Sequence, residues 1–261
     1  VTKRTGNDRA EPRAKAALLN FLRSTGELSS QSSVTAELIL DNYKVRADIA
    51  MCDRNSLYCY EIKTDRDTLT RLDRQLEVYG RHADFVIVVA ATRHINAVIS
   101  RVQPHVGILE IVGFDSADPV RVVRKATRSP AFDANALLSL VPAKDLQSRL
   151  GITGRLRRHE LIAKAVEMAS EEKKQAVLAF FAERYGPNSR ALWRAARRRK
   201  IRPSDLSILR RWGQSADVIK ECNVVQALPP ASRGWSDAVV YSHVGKSFGP
   251  IPDELRALLT G

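Results

Sequence analysis

Three short segments, residues 34–40, 45–52 and 57–63, rich in β-branched, aromatic and apolar side chains, restrict the fold of this chain more than any other feature. They are separated by Asp41-Asn42-Tyr43-Lys44 and Asp53-Arg54-Asn55-Ser56, both of which read as four-residue hairpin turns. An antiparallel three-strand meander follows. With loops of that length Leu40 faces Val45 and Cys52 faces Leu57, a register that sets Glu37 opposite Asp48 and Asp48 opposite Glu61. Facing residues have Cβ atoms about 4.5–5.5 Å apart, a separation at which like charges destabilise the pair.

Such a row of carboxylates needs compensation. A hard divalent cation, Mg²⁺ or Mn²⁺, supplies it through oxygen ligands while keeping positions for water and phosphate. The row therefore predicts metal-assisted phosphodiester hydrolysis. Asp48 and Glu61 are the expected metal ligands, with the backbone carbonyl of Ile62 as a third and Glu37 as a further acidic candidate. The bound ion would acidify a water and neutralise charge on the scissile phosphate. Lys63 shares the face of Glu61 by the strand period of two and can orient that water or stabilise developing negative charge.

The next segment adds to the case. Asp67 is placed to cap a helix from Thr68 to about Gly80, with Leu69, Leu72, Leu76 and Tyr79 at helical spacing and Gly80 as its stop. Gln75 and Tyr79 are one turn apart on the stripe that faces the sheet. A Gln on an apolar stripe needs a hydrogen-bonding partner, which the strand carboxylates offer.

In this order, an Asp, a Glu-x-Lys and a helix with Gln-x-x-x-Tyr, the chain resembles the PD-(D/E)XK nuclease superfamily, in particular its RecB-like branch. More closely, Arg46-Ala47-Asp48, Glu61-Ile62-Lys63, Asp67-Thr68-Leu69, Arg71-Leu72 and Gln75 to Tyr79 look like a bacterial family of uncharacterised proteins assigned to that superfamily. The resemblance spans roughly residues 10–190, with the specific motifs in 37–79. It implies a restriction-endonuclease-like core, Mg²⁺ or Mn²⁺, and cleavage of nucleic acid, DNA before RNA. Asp48, Glu61, Lys63, Gln75 and Tyr79 would be the catalytic set. Arg46-Ala47 stands where many members have Pro. The superfamily's additional Glu usually lies on the first helix, where Glu11 is available, whereas the strand register favours Glu37. A lone Glu-x-Lys is commonly a solvated strand edge, and only the ordered combination is specific.

The rest of the chain reads as an α/β fold with a mixed central sheet flanked by helices, followed by a C-terminal helical domain. A first helix is expected over 11–24, a nearly continuous apolar and hence central strand over 84–90, a helix over 95–102, and strands over 107–112 and 120–124. Helices are expected over 134–140, 143–150, 157–169, 170–185, 189–200 and 204–212. The domains expected are 1–133 for the nuclease-like unit, 134–222 for a basic helical unit and 223–261 for a largely irregular tail.

Charge points the same way. Residues 1–150 carry 22 basic and 18 acidic side chains, whereas residues 151–261 carry 20 and 11. The net charge of +13 suits a polyanionic partner. Arg190, Arg194, Arg197 and Arg198 fall on one helical face as candidate nucleic-acid contacts, a stripe that reads equally well as a solvated surface. No apolar run approaches a membrane span, and Val1-Thr2-Lys3-Arg4 leads into no secretory segment, so a cytoplasmic protein with no membrane partner is expected. Three cysteines and five histidines lack metal-ligand spacing. No phosphate-binding loop is present, which excludes an ATPase of that type. The rival to the enzyme is a noncatalytic nucleic-acid-binding or assembly protein that retains the fold, or a nuclease that needs a partner, as in a defence or toxin-like system. A homodimer would bring two such sites together.

Overall fold

The meander forms in the expected register. In the computed structural model, which describes residues 10–40 and 45–210, β1 (Ser33–Leu40), β2 (Val45–Cys52) and β3 (Leu57–Lys63) are antiparallel neighbours. Leu40 pairs with Val45 and Cys52 with Leu57. The second turn is closed by Asp53, whose Oδ1 accepts the N–H groups of Asn55 and Ser56, both at 2.7 Å. The turn at 41–44 lies outside the described residues.

Three further strands complete a mixed sheet in the order β1-β2-β3-β4-β5-β6. β4 (Phe85–Ala91) and β5 (Gly107–Ile111) run parallel to β3, and β6 (Val120–Arg124) is antiparallel at the edge. β4 is covered on both sides, as its apolar run requires. Val86, Val88 and Ala90 join one apolar cluster while Ile87 and Val89 join the other.

α1 (Ala10–Ser24) lays Ala14, Leu18, Leu19 and Leu22 on one face of the sheet, and Gly26, at φ +80°, turns the chain away after it. α2 (Leu72–His82) and α3 (Ile95–Arg101) cover the other face. There they are joined by α4 (Ala134–Leu137), α5 (Ala143–Arg149), α6 (Arg158–Val166) and the first part of α7 (Ser170–Ala195). The end of α7 and the short α8 (Ser207–Arg210) pack with α1, through Leu192, Ala196, Ile201, Leu206 and Leu209. Helices after residue 133 thus contribute to both cores, and all described residues fall within one compact unit. No described helix is long and apolar enough to cross a membrane.

Two elements depart from expectation. α2 starts at Leu72 rather than Thr68, because Asp67 does not cap it: Asp67 Oδ2 accepts from Thr64 N at 2.7 Å and Thr64 Oγ1 at 2.6 Å, closing the loop after β3. Gly80 lies inside the helix, where a Cβ would stand 3.2 Å from Ser129 Oγ, the hydroxyl that donates to Gly80 O. Its smallness serves a close approach, not a stop. The two helices expected over 170–185 and 189–200 are one, continuous through Gly186 and Pro187 and ending at Ala195. The end of the helix expected over 204–212 and the tail expected over 223–261 lie outside the described residues.

Candidate active site

Alternation fails at one place in the meander, and the acidic residues stand there. A strict period of two would give Val34, Ala36, Leu38 and Leu40 a single face. Instead Val34 and Ala36 pack on the α1 side, and Leu38 and Leu40 on the α2 side. β2 switches too, with Val45 and Ala47 on the α2 side and Ile49 and Met51 opposite. At the switch Glu37 adopts φ 61°, the left-handed region that a side chain rarely occupies. Pairing is interrupted between Leu38–Ala47 and Ala36–Ile49, and the β2–β3 ladder ends at Ile49–Tyr60, one step short of Asp48 and Glu61. Asp48 instead accepts the N–H of Ile62 through Oδ2 at 2.7 Å. Ile62 thus meets the site through its N–H.

Glu61 is buried and both of its carboxylate oxygens have hydrogen-bond partners. Oε1 accepts from Lys63 Nζ and from Gln75 Nε2, both at 2.7 Å, and Oε2 faces the Tyr79 hydroxyl, whose single proton lies between Glu61 Oε2 and Arg46 O. Lys63 Nζ donates in addition to Gln75 Oε1 at 3.0 Å. The Glu-x-Lys pair and the two helix residues are therefore one hydrogen-bonded unit. Tyr79 is buried, and burial followed by the charge of Glu61 holds its phenol well above the usual range, so it remains a donor.

Glu37 and Glu11 are brought together. Carboxylate oxygens of Glu11, Glu37 and Asp48 all lie within 4.8 Å of one another, so the helix and strand candidates belong to the same cluster. Hard oxygen donors in this number fit Mg²⁺ or Mn²⁺. Burial first, and then the charge of Glu61, raise the Asp48 carboxyl to about 7 against the opposing pull of Lys15 and the Ile62 N–H. A cation beside it would relieve that cost.

Lys15 is the residue that sequence reasoning missed. It is fully buried, with its Nζ bonded to Glu37, 2.6 Å from Glu11 Oε1 and 3.8 Å from Asp48 Oδ1. The signal was present: a lysine one turn after Glu11, on a helix whose inward face is otherwise Ala and Leu. Burial works against its charge, but Asp48, Glu11 and Glu37 outweigh burial and hold the ammonium above its usual range.

Glu11, Glu37, Asp48, Glu61, Lys63 and Gln75 line a cleft of about 540 Å³ whose wall also includes Arg46, Arg71 and Arg74. Arg46 pairs with Glu37 at 2.6 Å. Of the remaining acidic residues, Asp73 pairs with Arg101 at 2.6 Å on the surface. Arg190 and Arg194 are exposed on α7, but Arg197 and Arg198 come after its last residue, so the four do not form one helical stripe. Cys52 and Cys59 are buried thiols pushed up to about 12 by burial.

Comparison with known proteins places the chain. A sequence model of the family described as bacteriophage P4 protein cII matches residues 4–210. Protein cII of Enterobacteria phage P4 is 30% identical over 205 residues, covering 76% of this chain and 77% of that protein. Among solved structures, a protein of unknown function from Silicibacter pomeroyi shares 15% identity, over 57% of this chain and 97% of its own, with a TM-score of 0.37. The match across four fifths of the chain and the relative of similar extent are decisive: this chain belongs to the bacteriophage P4 protein cII family.

Proposed function

We propose that this protein is a metal-dependent nuclease of the PD-(D/E)XK type, built on a restriction-endonuclease-like core and acting on DNA before RNA. The observation that carries the reading is the assembly of Asp48, Glu61, Lys63 and Gln75, with Glu11 and Glu37, in one cleft, and of the buried Tyr79 against Glu61. A Mg²⁺ or Mn²⁺ ion held by Asp48, Glu37 and Glu11 would supply Lewis acidity and an acidified water, with Glu61, expected from the sequence as a ligand, bonded instead to Lys63, Gln75 and Tyr79 beside that trio.

The chain's own residues do the rest. Gln75 and Tyr79 fix the Glu61 carboxylate, which fixes Lys63. An ammonium has three donors, and two of those of Lys63 go to Glu61 and Gln75, leaving one for a water or a phosphate oxygen. Arg46, Arg71 and Arg74 at the cleft wall offer guanidinium groups to flanking phosphates. Such a site works mainly by position and charge.

A second reading, noncatalytic nucleic-acid binding in the cytoplasm, draws on Lys15, which already supplies a cation to the acidic cluster. Incubation of the full chain with labelled single- and double-stranded DNA and RNA, with Mg²⁺, Mn²⁺ or EDTA, separates the two. Metal-dependent cutting that falls about 100-fold or more in Asp48→Ala and Lys63→Ala supports the nuclease. Cutting that survives both substitutions, or binding with no cutting under any condition, overturns it.

A further inference from the structure

We propose that Lys15 is the resident cation of the candidate site, holding the carboxylates of Glu11, Glu37 and Asp48 in place and limiting the cluster to one divalent ion. The inference rests on the metal-dependent reading above and concerns a residue to which that reading gives no part.

Packing gives no reason for a lysine here. The inward side of α1 is Ala14, Leu18, Leu19 and Leu22, and Leu or Met would fill the volume of Lys15 without removing an ammonium from water. Burying that charge costs several kcal/mol unless opposite charges and hydrogen bonds surround it. They do. Two of its donors go to Glu11 and Glu37, from different elements, and so tie the helix to the strand at the point where Glu37 is in the left-handed conformation.

Asp48 is treated differently. Its Oδ1 lies 3.8 Å from the ammonium, close enough for attraction and too far for a hydrogen bond, while Oδ2 is held by Ile62. Lys15 thus steadies Asp48 without consuming the oxygen that a metal would use.

The charge balance leads to the stoichiometry. The groups joined in ion pairs at the cluster are four carboxylates, Glu11, Glu37, Asp48 and Glu61, and three cations, Lys15, Lys63 and Arg46, a formal charge of −1, while Asp67, Arg71 and Arg74 also line the cleft. One divalent ion turns this to +1, which suits a singly charged phosphodiester. A second would overshoot. Removing the Lys15 charge leaves −2, which favours tighter metal binding or a second ion.

The test is Mn²⁺ binding to the full chain, followed by calorimetry and by the Mn²⁺ electron-spin signal, in wild type, Lys15→Met and Lys15→Gln, with folding checked by circular dichroism. The glutamine amide keeps two donors for Glu11 and Glu37, so the comparison survives if the methionine variant does not fold. Wild type should bind one Mn²⁺, and the variants should bind about tenfold or more tightly, or take a second ion. In EDTA the variants should melt below wild type, with Mn²⁺ raising their Tm by more. A lysine needed only for packing would change the Tm and leave Mn²⁺ affinity alone. If wild type and variants bind Mn²⁺ with equal affinity and stoichiometry, or the variants bind more weakly, the inference fails and the nuclease reading stands. If only the variants bind, Lys15 excludes a metal altogether, and both the one-ion limit and the nuclease reading fail. If no form binds, both fail.

Discussion

Tyr79 shows how much one hydroxyl organises. Its one proton lies between Glu61 Oε2 and Arg46 O, joining α2, β2 and β3 at a buried point. Tyr79→Phe keeps the ring and its packing but removes the one proton that Glu61 Oε2 and the Arg46 carbonyl share. The expected loss of stability is about 1–3 kcal/mol, read by urea unfolding. If the proposed nuclease activity is present, the same change should lower cleavage by about 10- to 100-fold, because a supporting hydrogen bond to a catalytic carboxylate is lost. Unchanged cleavage with reduced stability would confine Tyr79 to the core. Gln75 could be read in the sequence for the same physical reason: a polar side chain on an apolar stripe implies a partner, and Glu61 and Lys63 provide it.

Among the elements, α7 is the one whose length local signals hid. Gly186-Pro187 reads as a stop, yet Ser170–Ala195 is continuous. Tertiary contacts override the breaker: Gly186 is buried with Ser33 Oγ 3.5 Å from where its Cβ would stand, and Ser189 Oγ accepts from Val34 N at 2.7 Å. The helix is held against β1 on both sides of the proline. Pro187, exposed and unable to donate, still removes one helical hydrogen bond. Pro187→Ala should therefore raise stability by about 1–3 kcal/mol, measured by thermal and urea unfolding. A loss of stability would mean that the proline fixes a bend on which the β1 contact depends. The face switch at Glu37 was equally hidden, since alternating apolar residues continue through it and only backbone torsion records the change.

Across the whole described unit, a buried ion pair ties the helical half to the sheet. Asp84, fully buried before β4, accepts from Leu57 N at 3.0 Å and from Lys174 Nζ of α7 at 2.7 Å, with Arg128 at 3.3 Å. Lys174→Met should cost about 3–5 kcal/mol, because it strands a carboxylate in the interior. The double variant Asp84→Asn, Lys174→Met should recover much of that loss. A single variant as stable as wild type in urea would show that Arg128 alone suffices. This pair explains why residues after 133, distinct in texture along the chain, pack into the same cores as the sheet.

The sequence by itself determined the meander and its register, the central place of β4, and the ordered set Asp48, Glu61, Lys63, Gln75 and Tyr79. Those properties follow from loop length and from periodicity over a few residues, which are local. Only the tertiary structure decided that Glu11 and Glu37 share one cluster, that Lys15 lies beneath it and that β1 and β2 exchange faces beside it. Each of these depends on how α1 settles against the sheet. That placement is fixed by packing between segments distant in sequence, and no short-range pattern encodes it.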